Sequence, residues 1–590
     1  MTKLKKAIVY FLTYLKPFWR GLLIAMAMTA IGTYAQIKAP LYLGDAISGL
    51  AHYVTDSFTP GKSASLTDFY HAILGMGAFY LLSEFGLVVS GFITSKISSE
   101  SVGSMRRGLF GKLQKLPVAY FDKHQDGKIL SLFTSDLDNV FNAMNQGVFQ
   151  IFSQGLLFLG IIWMMLSKSV MMALVTMALS PVAILVALFI MKKARKQIEI
   201  QQAATGELNG YINEQLAGQA VLLAEGRQQE SIETFKPYNA KVRAATQKGQ
   251  FYSGLLSPLM QGFSLLNLAI VIFFGSWLVL HNGMDKASGL ALVVVFVTYS
   301  QQYFQPISQI TAIYNPLQLA VTGANRITDV LEKDNEVDTG SVEAGPLEEG
   351  VQLQHVDFAY QPDRPILKDV SIDVKKGQMV ALVGPTGSGK TTVMNLLNRF
   401  YDLNGGKVLY DGRPLADFTL QSLRDHVGIV LQESVIFSKT IFENIAYGKP
   451  DATQEEVEAA AKQANIHDFI VSLKDGYQTK VTGADNLFST GQKQLLSIAR
   501  TILTNPDLLI LDEATANVDT VTEEKIQAAM ENVMKDRTSF VIAHRLKTIL
   551  SADVIVVLKD GQVIEQGSHQ ELLNQKGFYS ELYYNQMVFE

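Results

Sequence analysis

Long apolar stretches alternate with polar connections along the first 325 residues of the chain. A helix needs about 20 mostly apolar residues to cross a bilayer, and an open strand would leave backbone groups unpaired in lipid. Six stretches fit this requirement, and we expect transmembrane helices at approximately residues 19–46, 69–95, 141–167, 169–191, 250–280 and 287–310. The pattern therefore predicts a helical membrane domain over residues 1–325.

Lysine and arginine are unevenly distributed among the connections between these stretches. They are frequent before the first stretch and in the long connections 96–140 and 192–248, and scarce in the remaining connections. Basic residues concentrate on the cytoplasmic side of membrane proteins, so both termini are expected in the cytoplasm of a protein of the plasma membrane. The amphipathic start of the chain is interpreted as a helix lying along the inner membrane surface.

The pattern changes after Arg326. Residues 326–349 are acidic, contain several glycines and lack periodicity over most of their length, which is typical of a linker. From 350 to 590, short β-rich runs alternate with helical patterns, as in an α/β domain. The predicted fold is a six-helix membrane domain followed by an α/β domain.

Composition supports this division and excludes several classes of protein. Hydrophobic residues make up 48% of the 590 positions and charged residues only 18%. The chain has no cysteine, which excludes disulfides and thiolate metal sites. A net charge of −5 gives no support for a nucleic-acid partner.

The strongest motif is "GPTGSGKT", Gly384 to Thr391, between an apolar run and a helical pattern. It matches G-x-x-x-x-G-K-[ST], in which glycines let backbone N–H groups converge on phosphates. Lys390 would reach the β- and γ-phosphates and Thr391 would hold Mg²⁺. The predicted ATP-binding residues of this loop are Gly384, Pro385, Thr386, Gly387, Ser388, Gly389, Lys390, Thr391 and Thr392.

A second motif, "LLILDEAT", ends an apolar strand with two acids. Asp512 is placed to bind Mg²⁺ and Glu513 to polarise an attacking water. Adjacent acids after a strand are often only a solvated strand end. Their combination with the phosphate loop favours a nucleotide-hydrolysing site.

Together these motifs resemble those of ATP-binding-cassette (ABC) exporters in their half-transporter form, over nearly the whole chain. The resemblance implies a type I exporter fold, ATP and Mg²⁺ as ligands, and further site residues. Tyr360 in "FAYQPDRPIL" would stack on adenine, and Gln432 would contact Mg²⁺ and water. Asp519 in "ANVD" would form the D-loop, and His544 in "VIAHRL" the switch.

The family signature, usually Leu-Ser-Gly-Gly-Gln, corresponds here to Phe488, Ser489, Thr490, Gly491 and Gln492. In the family it acts in trans, against ATP on the phosphate loop of a second chain. Thr490 departs from glycine, which permits positive φ and close backbone approach. Residues 483–486 also depart from the family pattern, whereas Glu513 is intact. This combination resembles one half of a heterodimeric exporter with unequal ATP sites; a homodimer is the alternative.

The resemblance also implies two cytoplasmic coupling segments, expected as short helices near residues 116–126 and 212–224. Phe121 and Asp122 are the expected contacts of the first, the alternative being solvated helix turns.

The sixth apolar stretch carries Gln301, Gln305 and Asn315 at helical spacing, which suits either a cavity for amphiphilic compounds or ordinary helix packing. The function predicted overall is ATP-driven export of drugs or lipids. A nucleotide-gated channel or regulator is the alternative from another class, and the intact Glu513 and His544 argue against it.

Overall fold

The computed structural model describes residues 3–281, 285–432, 434–481, 487–512, 520–543 and 545–584. By their contacts these residues form two compact units. The first comprises Met1–Gln114 and Gln125–Lys333, and the second comprises Lys115–His124 and Asp334–Glu590. The predicted boundary at residue 325 therefore lies inside the last helix of the first unit, which runs to Leu331.

The first unit is built from long helices. In chain order the helices up to Leu331 are α1 Lys3–Leu15, α2 Trp19–Ser57, α3 Thr67–Leu113, α4 Val118–Asp122, α5 Asp126–Ser131, α6 Leu137–Asn142, α7 Val148–Lys168, α8 Val170–Met177, α9 Ser180–Ala217, α10 Gln219–Ala224, α11 Gln228–His281 and α12 Lys286–Leu331. Wider turns at Leu132–Asp136 and Ala143–Gly147 join α5, α6 and α7 into one rod.

Among the described residues, five helical rods are long and apolar enough to cross a membrane: Lys5–Ser57, Thr67–Leu113, Asp126–Lys168, Val170–Ala217 and Gln228–His281. Helix α12 covers the sixth predicted stretch with 46 residues. Several rods extend well beyond the predicted spans, because helix-prone polar sequence continues them past the apolar part.

Small residues let α2 and α3 pack closely. A Cβ atom on Gly32 would lie 2.9 Å from the backbone oxygen of Ser83, and one on Gly86 would lie 2.8 Å from that of Met28. The buried hydroxyls of Thr29 and Ser90 hydrogen-bond each other at 2.6 Å. Small residues and paired hydroxyls are the features that hold helices together where lipid removes the hydrophobic driving force.

The second unit contains two sheets. Its strands are β1 Gly350–Phe358, β2 Leu367–Lys375, β3 Met379–Val383, β4 Gly405–Tyr410, β5 Arg413–Pro414, β6 Val427–Val430, β7 Leu508–Asp512, β8 Thr538–Ile542, β9 Val554–Lys559 and β10 Gln562–Gly567. An antiparallel sheet has the order β2-β1-β4-β5. The larger sheet has the order β10-β9-β3-β8-β7-β6, and all its pairings are parallel except that of β10 with β9.

The remaining helices surround these sheets. They are α13 Lys390–Leu397, α14 Leu420–Asp425, α15 Ile441–Ile445, α16 Gln454–Gln463, α17 His467–Ser472, α18 Thr490–Thr504, α19 Thr520–Met534, α20 Leu546–Leu550, α21 His569–Gln575 and α22 Phe578–Tyr584. One buried core joins both sheets to α13, and another joins α15 to α19 with β6 and β7. The parallel strands are almost wholly apolar because both faces of this sheet are covered.

Candidate nucleotide site

The phosphate loop follows β3, a central strand of the parallel sheet. Gly384 has φ +147°, and a Cβ atom there would lie 2.1 Å from the carbonyl oxygen of Leu558. Gly389, the residue before α13, has φ +106°, and its Cβ would lie 2.5 Å from the Leu367 side chain. Only glycine fits these two positions, because any side chain would be both strained and obstructed. The motif therefore forms a tight loop that leads into a helix N-terminus.

Lys390 folds back over this loop. Its Nζ atom donates to the carbonyl oxygens of Gly384 at 2.7 Å and Pro385 at 3.0 Å, and the residue is only 8% exposed. Burial lowers the pKa of the Lys390 ammonium, and the nearby Asp512 carboxylate partly opposes this shift. A buried ammonium that donates to two loop carbonyls is well placed to exchange these acceptors for phosphate oxygens, which carry full charge.

The hydroxyls of the loop differ in their surroundings. Ser388 is 2% exposed, and its Oγ atom has no hydrogen-bond partner within the described part of the chain. Pro385, Thr386, Gly387 and Thr391 are exposed, whereas Thr392 is buried. A buried hydroxyl without a partner costs free energy unless a ligand satisfies it. The loop thus has the donors that a polyphosphate requires.

Tyr360 lies beside α13. Its hydroxyl donates to Thr392 Oγ1 at 3.3 Å and accepts from Asn395 Nδ2 at 3.1 Å. Its ring meets the rings of Phe358 and Tyr401 edge to face, with centroids 4.9 Å away in each case. The half-buried ring is therefore fixed at both ends, which suits a stacking platform.

The strand register brings Asp512 and Gln432 to the loop's edge of the sheet. Asp512 ends β7 and pairs with Ile542 of β8, which in turn pairs with Leu382, two residues before the loop begins. Gln432 follows β6, the next strand along, and is exposed. Carboxylate, amide and hydroxyl oxygens are the hard ligands that Mg²⁺ prefers, so the donor set of Asp512, Gln432 and Thr391 fits this ion.

Three predicted residues, Glu513, Asp519 and His544, lie outside the described residues, as do positions 483–486. Their roles stay predictions.

The signature residues form the start of α18. Ser489 is the N-cap: its Oγ atom accepts from the Gln492 backbone N–H at 3.3 Å, and Gln492 Oε1 accepts from the Ser489 N–H at 2.9 Å. Thr490 is the first helical residue, exposed and without positive φ. The conformational objection to threonine therefore does not apply here, and only its side-chain bulk at the helix start distinguishes it from glycine.

Phe488, which stands where the family usually has leucine, packs in the protein core. It is 4% exposed in the core around α18, and its ring meets that of Phe469 with centroids 5.6 Å apart. The Phe488 side chain thus fixes the start of the signature to the core, while Ser489 and Thr490 remain exposed.

The two predicted coupling segments contain short helices, α4 and α10. Helix α4 belongs to the second unit, where the Asp122 carboxylate accepts a hydrogen bond from the Tyr401 hydroxyl. Phe121 is 39% exposed. Helix α10 belongs to the first unit, and Val221 and Leu223 on it are more than half exposed. Tyr401 was not anticipated, because no sequence spacing relates it to either Asp122 or Tyr360.

A glycine-rich loop between a parallel strand and a helix, with an acid at the end of a nearby strand of the same sheet, defines a P-loop nucleotide-binding domain. Residues 367–516 of the second unit match the ABC transporter domain, and residues 22–307 match the ABC transporter transmembrane region.

Similar proteins span almost the whole chain. The chain is 40% identical over 570 residues to the uncharacterized ABC transporter ATP-binding protein YfiC of Bacillus subtilis, covering 96% of this chain and 92% of that protein. It is 36% identical over 551 residues to a fatty acid ABC transporter ATP-binding/permease protein of Mycobacterium bovis, covering 93% and 85%. It is 33% identical over 581 residues to an ATP-dependent lipid A-core flippase of Dechloromonas aromatica, covering 98% and 97%.

A solved structure of a bacterial Atm1-family ABC exporter with ATP bound matches with a TM-score of 0.75 at 28% identity, covering 96% of this chain and 98% of that one. The chain belongs to the ABC transporter family and has the type I exporter fold. It is an integral membrane protein that binds ATP and couples its hydrolysis to transport. The predicted fold class and activity are thereby confirmed.

Proposed function

We propose that this half-transporter exports amphiphilic or hydrophobic compounds, lipids or drugs, outward across the plasma membrane by alternating access, with both termini in the cytoplasm. Two relatives are described as a fatty acid transporter and a lipid A-core flippase, which supports cargo with a long apolar part. The acidic net charge gives no support for a nucleic-acid partner.

The cargo proposal rests on two exposed glutamines on one face of α12. Gln301 and Gln305, one turn apart in the sixth predicted span, are both exposed in the single chain. Primary amides are costly in hydrocarbon, so this face is expected to meet a water-accessible cavity or a second chain rather than lipid. An exposed polar stripe among apolar helices is what an amphiphile with a polar head requires.

The neighbouring Tyr303 serves packing instead. It is 2% exposed and stacks on Phe158 of α7, with ring centroids 5.1 Å apart. Helix packing and a cavity therefore apply to different faces of α12. Tyr303 lies on the face that packs against α7, and Gln301 and Gln305 lie on the face that suits a cavity. The side chains of Tyr314 and Asn315 lie outside the described residues.

In the ATPase reaction, the loop N–H groups and Lys390 would bind and orient the phosphates, and Ser388 would donate its unpaired hydroxyl to them. Thr391, Gln432 and Asp512 would hold Mg²⁺, which neutralises charge on the phosphates when bound. Glu513 would orient the attacking water and His544 would contact the γ-phosphate, with Asp519 in the D-loop. Tyr360 would stack on the adenine.

We further propose that the functional assembly is a dimer in which Ser489, Thr490, Gly491 and Gln492 face ATP bound to a second half-transporter. A heterodimer is favoured because an intact Glu513 accompanies an irregular signature; a homodimer is the alternative. The exposed Val221 and Leu223 at the tip formed by α9, α10 and α11 support a second chain, because an apolar tip in the cytoplasm needs a protein surface to cover it.

The cargo proposal is tested with the purified assembly in proteoliposomes. Efflux of a fluorescently labelled fatty acid and of a fluorescently labelled phospholipid is measured on addition of ATP and Mg²⁺. The Gln301→Leu/Gln305→Leu variant should lower cargo-stimulated ATP hydrolysis at least about threefold, while Gln202→Leu, on an exposed cytoplasmic glutamine of α9, should not.

Two results would contradict the proposal. Unchanged stimulation in the double variant would show that this face does not meet the cargo. Passive flux opened by ATP binding, without sustained hydrolysis, would favour the channel or regulator.

A further inference from the structure

Tyr401 connects the short helix α4 to the aromatic platform of the nucleotide site. Its hydroxyl donates a hydrogen bond to the Asp122 carboxylate at the last residue of α4. Its ring meets the Tyr360 ring edge to face, with centroids 4.9 Å apart and planes at 84°. The Tyr401 side chain therefore contacts both α4 and Tyr360, the residue proposed to stack on adenine.

The ring of Tyr360 is held from its other side by α13. Its hydroxyl is bonded to Thr392 and Asn395, and Thr392 directly follows the predicted Mg²⁺ ligand Thr391. Phe358 closes the cluster, with its ring centroid 5.6 Å from that of Tyr401. Rings packed edge to face restrict each other's orientation, because each edge fits against the face of its neighbour.

Tyr401 is itself firmly placed. Arg399, two residues earlier, has φ +50°, is 8% exposed, and donates to the carbonyl oxygens of Phe418 at 2.7 Å and Leu415 at 3.2 Å. Arg424 Nη2 in turn donates to the Arg399 carbonyl at 3.2 Å. The backbone before Tyr401 is therefore anchored to the second unit, so a change at Asp122 is expected to act on the Tyr401 side chain rather than on this segment.

We propose that Tyr401 is a positioning residue that links docking of α4, through Asp122, to stacking of the ATP base on Tyr360. ATP binding would favour the docked α4, and by thermodynamic reciprocity the docked α4 would favour base binding by the same factor. The inference rests on the proposed stacking role of Tyr360. It adds a specific route by which base occupancy and α4 are coupled.

The experiment measures equilibrium binding of N-methylanthraniloyl-ATP to the purified full-length assembly in lipid nanodiscs, with EDTA present to prevent turnover. Tyr401→Phe removes only the hydroxyl, and Asp122→Asn removes only the charge. Tyr401→Phe should weaken binding about threefold and Asp122→Asn by no more than that, because Tyr401→Phe removes the hydrogen bond and Asp122→Asn leaves it with a neutral acceptor. The double variant should lose no more than Tyr401→Phe alone, because the same hydrogen bond is already absent there. Asp126→Asn, on an exposed acid four residues further on, is the matched control and should change nothing.

A ligand that lacks a base distinguishes the proposed link from a purely structural role of Tyr401. Tripolyphosphate has no base, so its competition for the site should be equal in the original protein and in Tyr401→Phe. In a Tyr360→Ala background, Tyr401→Phe should no longer weaken nucleotide binding.

The outcomes that overturn the inference are distinct from those that overturn the proposed site. Unchanged binding in Tyr401→Phe and Asp122→Asn, or additive losses in the double variant, would refute the link while leaving Tyr360 in place. Equal weakening of ATP and tripolyphosphate would show only structural damage. If Tyr360→Ala binds nucleotide normally, the stacking role itself is wrong, and with it the premise of the link.

Discussion

The Lys390→Ala substitution tests the nucleotide site most directly. The Lys390 ammonium makes hydrogen bonds of 2.7 and 3.0 Å to loop carbonyls, and we expect phosphate oxygens to replace these acceptors. A hydrogen bond to a charged group contributes about 1.5–3 kcal/mol, so losing two at the low end costs roughly 3 kcal/mol. Because 1.4 kcal/mol corresponds to a factor of ten, ATP affinity should fall at least about 100-fold.

Stability should respond far less than affinity. The variant loses two hydrogen bonds in the nucleotide-free protein, but it also removes the cost of burying an ammonium. These terms oppose each other, so the midpoint of thermal unfolding without nucleotide should shift by no more than about 4 °C. Nucleotide binding, phosphate release and thermal unfolding are measured in parallel. Lys407→Ala, on an exposed lysine of β4, is the control.

The pH dependence gives an independent check with a defined sign. Burial lowers the pKa of Lys390 below the ordinary 10.5. As the pH rises, the folded protein therefore loses this proton at a lower pH than the unfolded chain does. Between the lowered pKa and 10.5 the unfolded chain binds more protons, and the Lys390 contribution to the free energy of unfolding therefore rises with pH. Lys390→Ala should remove this rise. Unaltered affinity, hydrolysis and efflux in Lys390→Ala would refute the assignment of the whole site.

Three further outcomes are expected. Glu513→Gln should nearly abolish ATP hydrolysis by the assembly, whereas Thr490→Gly should change it less than about threefold, because the Thr490 backbone is already helical. A severe loss of hydrolysis in Thr490→Gly would mean that the weak site is misassigned. This chain expressed alone should hydrolyse ATP slowly and associate weakly in light scattering, and strong cooperative turnover by a homodimer would contradict the heterodimer. Val221→Asp, at an exposed apolar tip, should reduce cargo-stimulated hydrolysis while nucleotide affinity stays constant, and normal stimulation would place the tip outside the coupling path.

The features that could be predicted from sequence are those governed by local pattern. The phosphate loop was predictable because its glycines are required by steric limits that act within a few residues, as at Gly384. The long apolar helices were predictable because the bilayer fixes their minimum length. Their full extent was not, since α11 continues through 54 residues even though Pro237 and Pro258 lie inside it.

Thr490 shows how a consensus can mislead. The glycine usual at this position suggested a need for positive φ, yet the backbone there is helical. The signal was present in the sequence: Ser489 followed three residues later by Gln492 is the pattern of a capping box, which predicts a helix start. Tyr401 carries no such signal, because its partners lie 279 and 41 positions away in the chain and meet it only through the tertiary fold.

If Ser489 and Gln492 face ATP on a second chain, as proposed, their reciprocal hydrogen bonds bear on how that site closes. They shape the turn before any nucleotide arrives, so a partner's ATP would encounter a rigid surface instead of ordering a loose one. Little conformational entropy would then be lost locally when the two chains close. Ordering of this turn would accordingly not limit the rate at which the two chains close.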